Sequence, residues 1–389
     1  MVNDIFSEFP GAAEMRELTV RIRTIWSLFD YDAAAMTIPV LASHILFAIA
    51  LFCASVAATY FVLRLGILDE PNHRSSHAQP TPSTGGVAIV TTFALGFALV
   101  WIFSDQARLS KIHLIGFAIA AFGIALVGFL DDLKLLRTFK IKLGAQIAAA
   151  LVLLAFGIVV TKVSLPGIGA LDLGWIGYPL TVFWVVALTN MFNFMDGLNG
   201  LAGGTTIVVA AFLCSVTFIE GSFFVYIFCY VMAASAAGFL VFNFPRARLF
   251  MGDVGSQFIG FSFAALAVVA AEIDASRTSL LVVPLLFFNF IFDTVFTFCR
   301  RGMRGEDVTQ AHRTHLYQLL NQIGWSHAQV SLFHFGVAAV QGIGALILID
   351  LGPDERMLVF APFIAFQLVY ATVIMTVARR RGVVSAPVR

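Results

Sequence analysis

The chain has 389 residues, 59% of them hydrophobic and only 12% charged, with a mean hydropathy of +0.90. Soluble domains carry about 25% charged residues, so the composition excludes the ordinary soluble classes and places the chain in a membrane. A formal net charge of +1 says nothing about nucleic acid, and no nucleic-acid partner is expected.

In chain order, residues 1–34 lack the basic start of a signal peptide, because Asp4 and Glu8 stand in its place. Met15, Leu18, Ile22, Ile25, Trp26 and Phe29 recur at helical spacing. This extension is therefore either an amphipathic interfacial helix or a poorly ordered lead. A single transmembrane domain follows over 35–381, then a short tail over 382–389. Apolar runs of roughly 17–25 residues, long enough to span a bilayer, predict about eleven helices. They lie near 38–63, 85–103, 112–130, 143–161, 178–195, 201–219, 223–242, 254–271, 280–300, 327–349 and 356–378. The expected fold class is an all-α integral membrane protein with a polar site built from loops on one face. Of the 24 Lys and Arg, 16 fall on the side of those loops and the C-terminal tail, five on the other side and three in the N-terminal extension. The positive-inside rule then makes the loop face cytoplasmic, with the N-terminus outside and the C-terminus inside. Cys53, Cys214, Cys229 and Cys299 lie in apolar runs without CxxC spacing and read as buried reduced thiols.

Five polar stretches return to that face. The first, Asp69 to Gly86, holds Arg74 and His77 as candidate phosphate contacts between prolines that prevent helix. The second is the adjacent pair Asp131-Asp132 followed by Lys134, Arg137, Lys140 and Lys142. A lysine anchor explains the basic run, but two adjacent carboxylates repel and need a cation or metal between them. In the third, Asn190, Asn193 and Asp196 stand three apart and form a polar stripe at the end of an apolar helix. Gly197 then allows close backbone approach. Amide and carboxylate oxygens are hard ligands suited to Mg²⁺, which shares substrate phosphates. The fourth contains Asn243, Arg246, Arg248, Phe250 and Asp253, the last at the start of a helix that favours anions. Asp253 alone could be an N-cap, but the arginines and Phe250, placed to stack on a base, are more than a cap needs. The fifth carries His312, Arg313 and His315. HxxH spacing could hold zinc, but no further cysteine or histidine joins it, and two imidazoles with a guanidinium suit pyrophosphate better. Asp293, with Asn289 one turn earlier, is an acid inside a span that must face the site or a basic partner.

Taken together, these stretches resemble the polyprenyl-phosphate N-acetylhexosamine-1-phosphate transferase superfamily, glycosyl transferase family 4. The paired aspartates match Asp131 and Asp132; NxxNxxDG matches Asn190, Asn193, Asp196 and Gly197; MGDxGS matches Met251 to Ser256. The histidine motif AHRTHLYQ looks like the branch that initiates O-antigen or enterobacterial common antigen rather than the muramoyl-pentapeptide branch. The chain departs from relatives at Ser75, at Ser83-Thr84 and at Asn199, which stands where an acid is common. The resemblance implies transfer of a sugar-1-phosphate from a UDP-N-acetyl sugar to a polyprenyl phosphate in the bacterial inner membrane, with Mg²⁺, or Mn²⁺ in its stead, as cofactor. It implies Asn193 and Asp253 as metal ligands and Asp131, Asp132 and Asp196 as catalytic residues. Asn190, Gly197, Asn243, Phe250, His312, Arg313, His315, Arg74, His77 and Lys142 would bind substrate, and a homodimer is admitted. A secondary transporter is the competing class. It would place polar residues near the bilayer midplane, whereas here they cluster at one rim.

Overall fold

The computed structural model describes residues 38–69, 81–103, 109–136, 138–165, 169–274, 276–308, 310 and 312–384. The N-terminal extension, Arg74 and His77 lie outside them. The described chain is all-α apart from two short antiparallel ribbons, β1 (Leu68–Asp69) with β2 (Thr81–Pro82) and β3 (Lys162–Leu165) with β4 (Gly169–Asp172). The helices are α1 (Ile38–Leu65), α2 (Gly86–Phe103), α3 (Lys111–Asp132), α4 (Phe139–Ala155), α5 (Gly177–Met195), α6 (Leu201–Ile219) and α7 (Phe223–Asn243). They continue with α8 (Gly252–Val268, extended by a π turn over Val269–Ile273), α9 (Val282–Leu286), α10 (Phe288–Met303), α11 (Leu316–Gln322), α12 (His327–Asp350) and α13 (Phe360–Arg380).

Among the described residues, nine helices are long and apolar enough to cross a bilayer. Two of the eleven expected spans differ. The run at 143–161 forms α4, a helix of only 17 residues. The run at 280–300 breaks at Phe287 into α9 and α10. A break frees backbone groups that lipid cannot satisfy. Gln341 of α12, fully buried, has its amide placed to donate to the Leu286 carbonyl (3.3 Å) and accept from the Asn289 N–H (3.0 Å).

α8 is the centre of the bundle: 94% of its most apolar stretch is buried, against 17% for α13. It packs on α2, α3 and α5. Its start comes close to α2 because glycines meet there: a Cβ on Gly86 would lie 2.2 Å from the Gly255 Cα. In lipid, such backbone approach rather than hydrophobic burial drives helix association. Outer faces are apolar, with Leu46, Phe61, Leu126, Phe183 and Val369 all exposed, as lipid contact requires. Of the cysteines only Cys229 is buried and Cys214 partly so; Cys53 and Cys299 are exposed. The expectation of four buried thiols fails because an apolar run in a bilayer protein has an outward face as well.

α10 is built inside out. Asn289, Asp293, Thr297, Arg300 and Arg301 recur at helical spacing and are buried, while Val295 and Cys299 are exposed along the wall of a cavity. A helix that buries its polar stripe is stable only where the interior supplies partners for it.

Candidate active site

The end of α3 meets the start of α8. Asp132 accepts the Asp253 N–H at 2.8 Å and the Val254 N–H at 3.1 Å, one on each carboxylate oxygen. It thereby satisfies N–H groups that a helix start leaves open. Gly252 makes this approach feasible: its φ is +74°, and a Cβ there would lie 2.4 Å from Asp132 Oδ2. Asp131 faces another way and takes the Lys142 ammonium at 2.8 Å. Lys142, on α4, donates at 2.9 Å to Asp253 as well and so bridges the second and fourth polar stretches.

Asp253 is the hub of this rim. Oδ2 accepts from Lys142 and, at 2.8 Å, from Gln257 Nε2; Oδ1 accepts from Asn193 Nδ2 at 3.1 Å. Asn193 also donates to Ser256 Oγ at 2.8 Å. Gln257 accepts from Gln146, which exchanges hydrogen bonds with Asn190, so a relay of amides runs from Asn190 to Asp253. Asp196 is partly buried, and no hydrogen bond reaches its carboxylate from the described residues. Burial, then the charges of Asp253 and Asp132, push its carboxyl well above the ordinary carboxylate range. Four aspartates thus gather at this rim, and two of them, Asp131 and Asp253, share one lysine.

The histidine rim is assembled differently. Arg301, buried on α10, donates to the carbonyls of Asp307 (2.6 Å), Val308 (3.5 Å) and Gln310 (3.2 Å) and to Glu306 (2.9 Å). Arg300 holds the Thr314 carbonyl at 2.5 Å. On this scaffold the His312 and His315 rings stack with centroids 4.9 Å apart. Burial, then the neighbouring His315, Arg301 and Arg300, lower the His312 pKa to about 4, leaving it neutral at pH 7. His315 Nδ1 lies 3.1 Å from Asp293 Oδ1. The Arg313 Nε is buried without a hydrogen-bond partner in the described structure.

A cavity of about 670 Å³ separates the rims. Its polar lining includes Lys142, Asn190, Asn193, Gln257, His312 and His315, with Gln146, Thr294, Gln310 and Gln318; its apolar lining includes Phe139, Leu143, Phe194, Val295 and Phe298. The carboxylate rim meets it where Lys142, Asn193 and Gln257 contact Asp253. Of the residues singled out in the sequence, Asp131, Asp132, Lys142, Asn193 and Asp253 are in direct contact, with Asn190 joined through Gln146 and Gln257. Asn243 and Phe250 do not line the cavity. Asn243 is a buried clamp that accepts from Gly200 N–H (2.7 Å) and donates to the Leu249 carbonyl (2.8 Å). Phe250 pairs through its backbone with Pro82 and Gly85 of the first stretch. The close approach at Gly197 is to Tyr317, whose hydroxyl would lie 2.1 Å from a Cβ there. Gln257 was missed in the sequence, although its position one turn after Asp253 on the same helix could have found it. Among the described residues no group of three or more His, Cys, Asp or Glu is arranged to hold a metal.

A family model described as Glycosyl transferase family 4 matches residues 114–271. The chain is 31% identical to a probable undecaprenyl-phosphate N-acetylglucosaminyl 1-phosphate transferase of Bacillus subtilis (strain 168), over 74% of this chain and 78% of that protein. It is 28% identical to a decaprenyl-phosphate N-acetylglucosaminephosphotransferase of Mycolicibacterium smegmatis, over 92% and 94% of the two chains. It is 27% identical to the undecaprenyl-phosphate alpha-N-acetylglucosaminyl 1-phosphate transferase of Escherichia coli (strain K12), over 73% and 77%. The motifs quoted from the sequence, the helical membrane fold and these matches agree: the chain belongs to glycosyl transferase family 4, the polyprenyl-phosphate N-acetylhexosamine-1-phosphate transferase superfamily.

Proposed function

We propose that the protein transfers an N-acetylhexosamine-1-phosphate from a UDP-sugar to a polyprenyl phosphate at the cytoplasmic face of the bacterial inner membrane, initiating a cell-surface polysaccharide. An oxygen of the lipid phosphate attacks the sugar-bearing phosphorus, the bridging P–O bond breaks, and UMP leaves. The observation that carries the reading is the pairing of a carboxylate rim and a histidine rim across a cavity whose remaining wall is mostly apolar. That wall suits a prenyl chain. The relatives' names carry N-acetylglucosamine, which makes UDP-N-acetylglucosamine the first donor to test.

The donor set fits Mg²⁺. Asp131 and Asp253 share Lys142, and the charges of Asp253 and Asp132 reach Asp196 without a cation beside it in the described contacts. Mg²⁺ is ordinarily held by one or two carboxylates plus waters and substrate phosphates rather than by a full protein cage, so a few ligands suffice. Asn193 and Asp253 would hold it, and when bound it supplies positive charge to the pyrophosphate oxygens. Lys142, already on Asp253, adds a second cation at the same place. His312, neutral at pH 7, can donate a hydrogen bond without adding charge, while His315 and Arg313 orient the phosphates from the opposite rim. With Asp132 committed to the start of α8, Asp131 is the member of the pair left to position the lipid phosphate. That nucleophile needs little deprotonation, since a phosphate monoester has its second pKa near ~6.

The test is UMP release from membranes given polyprenyl phosphate, Mg²⁺ and a panel of UDP-N-acetyl sugars. At least one donor should support turnover that chelation abolishes. Folded protein silent across the whole panel overturns the reading and favours a transporter.

A further inference from the structure

Asp293 lies on the inward face of α10 and is 1% exposed. A carboxylate at such depth is costly unless its oxygens are filled. They are filled chiefly from one short segment. Oδ1 faces His315 Nδ1 at 3.1 Å and accepts the Leu316 N–H at 2.9 Å; Oδ2 accepts the Tyr317 N–H at 3.0 Å. Only Thr297 Oγ1, at 3.2 Å, comes from α10 itself. One buried carboxylate thus holds three consecutive residues at the start of α11.

The consequence for the imidazole is chemical. A carboxylate within hydrogen-bond reach of Nδ1 requires that nitrogen to donate, which fixes the tautomer and the ring plane. The ring's other nitrogen, Nε2, is then the one free to act in the cavity that His315 lines. Phe194 and His312 flank the ring, with centroids 6.1 and 4.9 Å away.

We propose that Asp293 is a positioning residue for the transfer, holding His315 by Nδ1 so that Nε2 is the nitrogen offered to the substrate pyrophosphate. The inference rests on the transferase reading for the role of Nε2 but not for the anchor itself. Asp293→Asn lowers kcat on the order of 10- to 100-fold, as loss of an orienting partner commonly does. In a His315→Ala background the same change costs no more than about twofold, because the group it orients is already gone. His315→Asn places an amide N–H where Nδ1 stood, so it keeps the anchor and loses Nε2: it unfolds at the wild-type temperature but turns over no faster than His315→Ala.

Three results overturn the proposal: wild-type kcat in Asp293→Asn, losses that multiply in the double variant, or retained turnover in His315→Asn. If the wild type itself releases no UMP, the transferase reading falls and the anchor is still read by thermal unfolding. There His315→Ala and Asp293→Asn lower the midpoint non-additively and His315→Asn does not. An equal drop for His315→Ala and His315→Asn removes the anchor.

Discussion

Around Asp253, positions are set by helix ends pressed together, with the end of α3 capping the start of α8 and Lys142 reaching over from α4. Around His315, positions are set by buried charges on α10 that reach outward and hold a loop by its backbone, through Arg300, Arg301 and Asp293. The first rim has an excess of negative charge and little freedom; the second has cations and a shape borrowed from its neighbours. The difference teaches where each rim is vulnerable. Removing a carboxylate at Asp253 should remove chemistry and leave the fold, whereas removing a charge from α10 should loosen the loop and lose chemistry indirectly.

Breaking the carboxylate rim gives the largest effect. Asp253→Asn should lower kcat by on the order of 10²–10³-fold, the cost typical of losing one preorganised electrostatic group. Its thermal unfolding midpoint should match wild type; wild-type UMP release from the variant removes Asp253 from the site. Gly252→Ala attacks the same rim through geometry. A φ of +74° costs an L-residue about 1–2 kcal/mol, and the added Cβ falls 2.4 Å from Asp132 Oδ2. Both a lower midpoint and loss of turnover are expected, and an unaffected variant would mean that Asp132 does not cap α8.

On the histidine rim, Arg301→Ala should destabilise by about 2–4 kcal/mol, since it leaves several loop carbonyls without their charged donor. Arg301→Lys should recover only part, because an ammonium cannot span the same fork. Denaturation in detergent measures both. Equal stability for all three proteins would show that the loop holds its own shape. The smallest effect is a pH dependence. His312 has a folded pKa of about 4 against an ordinary 6.5, so between those values the unfolded chain binds the extra proton. Its contribution to stability is complete above about pH 6.5 and is lost as pH falls toward 4. Substrate-free His312→Gln should therefore lose less stability than wild type over that window, and parallel unfolding curves would refute a depressed His312.

Much of this was legible in the sequence because it follows from local rules. Apolar length placed nine of the expected spans, and the spacing of Asn190, Asn193 and Asp196 put them at one helix end. Asp253 was visible at a helix start, but its partner was not: Asp132 caps α8 only because Gly252 and the Gly86–Gly255 contact let backbones close in, which is a property of three segments at once. Asn243 carried the same signature as a ligand residue and is a clamp between loops, since an amide's partners are decided by what folds beside it. The break at Phe287 was hidden for a similar reason. The 280–300 run is apolar enough to read as one span, and the group that sustains its interruption, Gln341, lies on another helix.

The sequence by itself determined the membrane class, the positions of most helices and the polar residue types gathered at the loop ends, because these depend on composition, on the 3.6-residue period and on motifs read within a few residues. Only the tertiary structure decided which of those residues touch. It gave Asp132 a helix to cap, left Asp131 facing Lys142, turned the polar face of α10 inward and tied His315 to Asp293. The physical reason is that burying a charge in a bilayer protein is tolerable only beside its partner, and the partner lies in each case on a different segment of the chain.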